Sequence, residues 1–260
     1  MLALPVQLAP RSLRLFVLLV IAPLAALVPL SVRAGAPGAN PAAVRFTIAM
    51  QVQAPNAAFS LSGSGVADTG GDVQLHMDLN GPEQHSIDYI MAGGTAYLSL
   101  DGAPYETVGP GSNGGSMGGL DASCFSMSSQ GNLGDIATLL GPSATVQNLG
   151  PETLDGATVD HVRVHLDLAS ALQSLAPLLR QTLLGCGLSA DQLNALSSPE
   201  GQMALAGSTL NLDAFVDTAN QFPRRIDLAL DFPGIPANFT LQETFTPLAT
   251  PVAITPPPGF

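Results

Sequence analysis

The chain has 260 residues, of which 46% are hydrophobic and only 11% charged, with no Trp and no Lys. Beyond residue 34 the basic residues are Arg45, Arg163, Arg180, Arg224 and Arg225 against all 20 acidic ones, a net charge of 5 − 20 = −15. An anionic surface repels phosphate backbones, which excludes nucleic acid as a partner and argues against electrostatic adhesion to anionic headgroups.

Residues 1–34 read as a secretory signal. Arg11 and Arg14 precede an apolar run from Leu15 to Leu30, and Val32-Arg33-Ala34 offers small residues at the spacing a signal peptidase uses. The run is short beside the ~20 residues of a membrane span, so cleavage is expected, with a retained anchor as the alternative. No Cys stands near the cleavage site, so lipidated export has no attachment point. Residues 35–42 form a Gly/Pro-rich linker, and the remaining chain suits one domain over 43–258.

Alternating apolar and polar residues then predict strand after strand. Val44, Phe46, Ile48, Met50 and Val52 interleave with Arg45, Thr47, Ala49 and Gln51, and Val73, Leu75, Met77 and Leu79 interleave with Gln74, His76 and Asp78. Successive strand side chains point to opposite faces, so this pattern describes an antiparallel sheet with one apolar side. Six strands are predicted at about 44–53, 58–67, 72–80, 85–92, 95–100 and 104–108, separated by turns such as Gly93-Gly94 and Asp101-Gly102. The Gly/Ser-rich segment Gly109–Gly131 is predicted to be a mobile loop, and Ile136, Leu139 and Leu140 suggest a short helix after it.

Strands return at about 144–150 and 157–168 across the turn Leu154-Asp155-Gly156. The period then changes: Leu168, Leu172, Leu175, Leu179 and Leu183 make one helical stripe, with Pro177 as a kink. Ser189 and Gln192 resemble a capping box for a second helix through Leu193 and Leu196. Three last strands are predicted at about 208–217, 223–232 and 237–246, the closing strand and the residues through Pro257 leading to a Pro-rich end. Cys124 and Cys186, the two cysteines, read as a disulfide in an exported chain, worth about 4 kcal/mol in the chain-entropy model. The fold class is therefore α+β: a single curved antiparallel sheet of about eleven strands, a half-barrel wrapped over a few helices on its concave face.

Reactive chemistry is sparse. Gly114-Gly-Ser116-Met-Gly118 has the letters of a nucleophile elbow, but it lies inside a Gly/Ser loop rather than between a strand and a helix, so a flexible loop is the reading. His161, Arg163, His165 and Asp167 share one strand face, yet the two histidines lie ~13 Å apart at ~3.3 Å per residue, too far for one metal ion. A solvated face with an Arg163–Asp167 or cross-strand ion pair is expected instead. His76 and His85 have Asp78 and Asp88 as expected neighbours without a nucleophile, and Arg224-Arg225 is expected to face acidic residues at a strand start. Asn238-Phe239-Thr240 reads as strand rather than glycosylation site. Neither a catalytic set, a metal site nor a cofactor is expected.

The order of elements resembles the LolA-like superfamily of extracytoplasmic lipid and lipoprotein carriers, most closely its LprG/LppX-type branch. The resemblance runs from about Val44 to Pro258. It rests on Gly94-Thr-Ala-Tyr-Leu-Ser-Leu-Asp-Gly102-Ala-Pro-Tyr105, on Leu154-Asp-Gly-Ala-Thr-Val-Asp-His-Val-Arg163 before a Leu-rich helix, on the late strand before Phe222-Pro-Arg-Arg-Ile226, and on a closing strand ending Val252-Ala-Ile-Thr-Pro-Pro257. It implies a half-barrel with a hydrophobic cavity for acyl chains. Members of that branch carry a lipidated Cys after the signal, which this chain lacks.

The expectation is an exported, monomeric, non-enzymatic lipid-binding or lipid-transfer protein, with a lipid or acylated ligand and a membrane or lipoprotein partner. Its apolar lining is expected from Phe46, Ile48, Met50, Leu75, Met77, Leu172, Leu175, Leu179, Leu228 and Leu230. The four Met at 50, 77, 91 and 203 and the scarcity of aromatics leave an adaptable, thinly plugged interior. The alternative is an envelope protein-binding sensor or structural domain of the same fold with a filled core.

Overall fold

The computed structural model describes residues 41–54, 57–108, 144–170, 194, 198–199, 203, 206–233 and 237–260. Within them the apolar/polar alternation produces eleven strands: β1 (Ala43–Ala54), β2 (Ala57–Asp68), β3 (Val73–Asn80), β4 (Gln84–Ala92), β5 (Thr95–Leu100), β6 (Glu106–Val108), β7 (Ala144–Leu154), β8 (Ala157–Asp167), β9 (Thr209–Asp217), β10 (Pro223–Phe232) and β11 (Ala237–Leu248). All join one open, curved antiparallel sheet in the order β6-β5-β4-β3-β2-β1-β11-β10-β9-β8-β7. Every neighbouring pair is a sequential hairpin or short connection except β8–β9, joined through residues 168–208, and β1–β11, which brings the two ends of the domain together at mid-sheet.

The tightest turns follow from their residues. Asp155 and Gly156 both hold positive φ (50° and 80°), as do Gly93 and Gly94 (58° and 79°), so Leu154 pairs with Ala157 and Ala92 with Thr95 across two-residue loops. Such turns match the right-handed twist of the strands they join. Register shifts between Asn148 and Gly150 in β7 and between Pro223 and Arg225 in β10 interrupt the ladders, as bulges do.

One face of the sheet is oily and the other wet. On β1, residues 44, 46, 48, 50 and 52 are buried and the residues between them are exposed. The main core gathers Val44, Phe46, Ile48, Met50 and Val52 with Phe59, Leu61, Met77, Ile87, Ile226, Phe239, Leu241 and Phe245. Each large side chain buried there contributes about 1.5–3 kcal/mol. β2 places Gly63 and Gly65 on this face, where side chains from the adjacent strands close over them. A Cβ on Gly65 would collide with the Phe46 ring, and one on Gly63 would stand 2.9 Å from Met77 Cγ.

The closing residues depart from expectation. Strand β11 ends at Leu248, and residues 251–257, expected as the end of a closing strand, form none. Five prolines between 247 and 258 deprive this stretch of ladder donors. It packs instead against the polar face: Ile254 and Val252 join Ile90, Ala92, Tyr97, Val66 and Tyr105 in a second small core, and the Phe260 ring meets Tyr97 edge-on at 5.0 Å.

Of the helices expected on the concave face, the described residues hold one short helix. Residues 168–170 are helical, and the Asp167 carboxylate accepts the Ser170 N–H at 2.7 Å, as an N-cap does. Residues 194, 199 and 203 are also helical. The rest of the Leu-striped insert, the short helix near 136–140, the Gly109–Gly131 loop with its elbow-like letters, and residues 1–34 lie outside the described residues.

Candidate functional site: the apolar face

The register carries apolar side chains across nearly the whole sheet. One row runs Leu98, Tyr89, Leu75, Gly65, Phe46 and Phe245. The next runs Leu100, Ile87, Met77, Gly63, Ile48, Glu243, Ile226, Ala214 and Val162. A third takes Leu61, Met50, Leu241, Leu228, Leu212, Val164 and Val146. The expected lining residues Phe46, Ile48, Met50, Leu75, Met77, Leu228 and Leu230 thus share one face. Leu172, Leu175 and Leu179, and the cysteines Cys124 and Cys186, lie outside the described residues.

Burial across this face is graded. The central strands are sealed, with Phe46, Ile48, Met50, Phe239 and Leu241 all buried. Leu75, Leu79 and Leu98 on one flank and Leu212, Leu228 and Leu230 on the other are only half-buried. Toward the edges, Leu100 is 41% exposed and Val146 56% exposed.

The row through Ile48 holds one residue that the strand pattern does not call for. Glu243 follows Phe239 and Leu241 at the same two-residue interval, so its carboxyl points to the apolar side. It is 0% exposed, and neither carboxyl oxygen has a hydrogen-bond partner. Burial disfavours the charged form and pushes its pKa up to about 8. The sequence reading missed it because Phe239 and Leu241 were followed no further along the strand; counting on by two would have reached it. The Ser208 hydroxyl, just before β9, is likewise buried without a partner.

The polar face holds the titratable side chains considered from sequence. Asp213 of β9 joins His161 (Nε2 to Oδ1, 2.7 Å) and Arg163 (Nε to Oδ1, 2.7 Å) of β8, a cross-strand arrangement rather than the Arg163–Asp167 pair. Burial raises the Asp213 carboxyl, but the hydrogen bonds from Arg163 and His161 outweigh it and hold it below its ordinary value. His161 also stacks on Phe215 with ring centroids 4.4 Å apart, and Arg225 lies over the same Phe215 ring. His165 pairs with Asn211. Arg224 binds Asp217 and Arg225 binds Asp227, so the doublet faces acids as expected.

His76 meets Asp88 at 2.7 Å, with Asp78 at 3.5 Å, whereas His85 takes Asp101 at 2.9 Å. The carboxylates raise the pKa of both imidazoles, chiefly by accepting hydrogen bonds from them, Asp88 from His76 and Asp101 from His85. An open cleft of about 340 Å³ beside the C-terminal segment is lined both by polar side chains, among them Arg45, Gln74, His76 and Asp88, and by apolar ones, among them Val66, Ile90 and Val252. Asn238-Phe239-Thr240 is strand, with Phe239 buried. Among the described residues no three His, Cys, Asp or Glu side chains converge as a metal site, and no helix is long and apolar enough to cross a membrane.

No protein-family model and no curated protein matches the chain. Solved structures do. The chain is similar to the lipoprotein LppX of Mycobacterium tuberculosis, at 10% identity and a TM-score of 0.42 over 90% of this chain and 99% of that one. It is similar to LprF of Mycobacterium bovis at 16% identity and a TM-score of 0.44, covering 91% and 98% of the two chains. A LolA superfamily protein of Nitrosomonas europaea aligns at 8% identity and a TM-score of 0.22 over 88% of this chain and 94% of that one.

Proposed function

We propose that this chain is an extracytoplasmic, non-enzymatic lipid-binding or lipid-transfer protein that holds acyl chains against the apolar face of its sheet. The graded burial supports this reading: beside a sealed centre, the half-buried leucines on both flanks offer apolar surface for an acyl chain to cover. The Leu172–Leu179 helix and the Gly109–Gly131 segment are the proposed cover on a concave side, and their shift admits a chain. Each CH₂ removed from water contributes about 0.8 kcal/mol, enough for a single acyl chain to bind without any charged contact. Membrane-borne or lipoprotein acyl groups are the proposed cargo source, reached through a cleaved signal over residues 1–34. Cys124 and Cys186 are proposed to staple the cover.

A filled-core, protein-binding envelope domain is the second reading, favoured by the close packing of Phe46 over Gly65 at the sheet's centre. The two readings part on uptake of a fluorescent apolar naphthylamine by the purified, lipid-stripped protein. The carrier reading expects saturable uptake that Leu228→Asp weakens and Thr47→Asp, on the polar face, leaves unchanged. No uptake by the unaltered protein would leave the filled core standing.

A further inference from the structure

The apolar face carries one feature that a purely hydrocarbon cargo does not use. Glu243 faces Ile48 across the β1–β11 ladder and Ile226 across the β10–β11 ladder, with Leu241 and Phe245 next to it on the same side of its own strand. Its two oxygens are fully buried and unpartnered. An orphaned buried carboxyl costs free energy that a Leu at this place would avoid, so its presence calls for a partner.

We propose that Glu243 is the polar anchor of the cargo site, hydrogen-bonding a neutral oxygen-bearing group, the hydroxyl or ester of an acylglycerol-type lipid whose chains lie on the surrounding apolar rows. This rests on the carrier reading and gives it a ligand class.

The chemistry selects a neutral head. Desolvation keeps the carboxyl protonated at neutral pH, so it presents one O–H donor and one carbonyl acceptor. A glycerol hydroxyl beside an ester oxygen matches both at once and brings no charge into the interior. A fatty-acid carboxylate would set two acids in one site. Among the described residues the cations stand elsewhere: Arg45, Arg163 and Arg225 point to the polar face and Arg224 is bound to Asp217. An ammonium head would have to bury an ion pair among Ile48, Ile226 and Phe245, where desolvation opposes it.

The test compares binding of monooleoylglycerol, oleate and heptadecene to the lipid-stripped protein by displacement of the fluorescent naphthylamine. In Glu243→Leu, affinity for monooleoylglycerol is expected to fall about tenfold while affinity for heptadecene holds or rises. Glu243→Gln, which keeps a donor and an acceptor, is expected to retain binding close to the unaltered protein. Thermal melting checks that both variants fold, and Glu243→Leu removes an orphaned polar group, so its melting temperature should not drop. Unchanged monooleoylglycerol affinity in Glu243→Leu, or oleate preferred over monooleoylglycerol, overturns the anchor while leaving the carrier intact. Failure of the unaltered protein to take up the naphthylamine overturns the carrier reading and the anchor with it.

Discussion

Ile48 and Glu243 stand directly opposite each other on β1 and β11, at the seam where the two ends of the domain meet, and both point to the apolar face. The seam thus pairs a fully apolar residue with a buried carboxyl that finds no hydrogen-bond partner among the described residues.

The pairing makes stability depend on pH. Burial raises the Glu243 carboxyl from 4.5 to about 8 in the folded chain, so between those values the native state holds a proton that the unfolded state has released. The described groups facing it (Phe46, Ile48 and Met50 on β1, Ile226 and Leu228 on β10, Leu241 and Phe245 on β11) do not titrate. Its contribution is therefore fully present below about pH 4.5 and lost as pH rises to about 8, each unit costing up to about 1.4 kcal/mol within that window. Denaturant melts at pH 5 and pH 8 should show the unaltered protein weakening at the higher pH, and Glu243→Leu weakening much less.

Asp217 works in the opposite sense. Burial pushes its carboxyl up, but Arg224 at 2.6 Å and the Ala219 N–H outweigh that and hold it below its ordinary value. The stability it supplies is present above the ordinary carboxylate range and lost as pH falls through the depressed value. Asp217→Ala should cost about 1–3 kcal/mol in urea melts at pH 7, since it leaves a turn N–H and Arg224 without their acceptor. Arg163→Ala, at a largely exposed pair, should cost under ~1 kcal/mol.

Gly65 tests the packing of the centre. Adding a methyl there drives it into the Phe46 ring and the Gln74 carbonyl, so Gly65→Ala should lower stability by about 1–3 kcal/mol. Phe46→Ala should cost about 3–5 kcal/mol by opening the cavity that ring fills. Both are measured by chemical denaturation, and a neutral Gly65→Ala would show that the ring has space to move.

The C-terminal segment is a clasp on the polar face. Ile254→Ala should cost about 2–4 kcal/mol, toward the modest end for an Ile so near the surface, because it leaves Ile90 and Tyr97 uncovered. Naphthylamine uptake should be unaffected, since the segment and the apolar lining lie on opposite faces of the sheet.

The strands were legible because a half-buried sheet writes its period into the chain. Met77 and Leu75 sit where their parity with Val73 put them, and Asp155-Gly156 closes its hairpin as the dipeptide demands. Cross-strand partners were harder to see: Asp213 lies 50 residues from Arg163, and only strand order brings them together. The order itself, with β1 against β11, is set by which long-range ladder buries most and leaves no local trace. The residues placed the last strand at about 237–246, close to β11, whereas the closing strand through Pro257 that the resemblance implied fails because the prolines there cannot sustain a ladder. Glu243 lies inside the strand expected over 237–246, and it was overlooked because the face shared by Phe239 and Leu241 was not counted on by two to a charged residue.

Native mass spectrometry of the protein purified from a membrane-containing host, followed by organic extraction, bears most directly on whether the apolar face holds acyl cargo. A bound mass of one lipid per chain, released by solvent and diminished in Leu228→Asp, is the predicted result. A chain that flies at its bare mass, yields no acyl material and takes none up when offered would contradict the account.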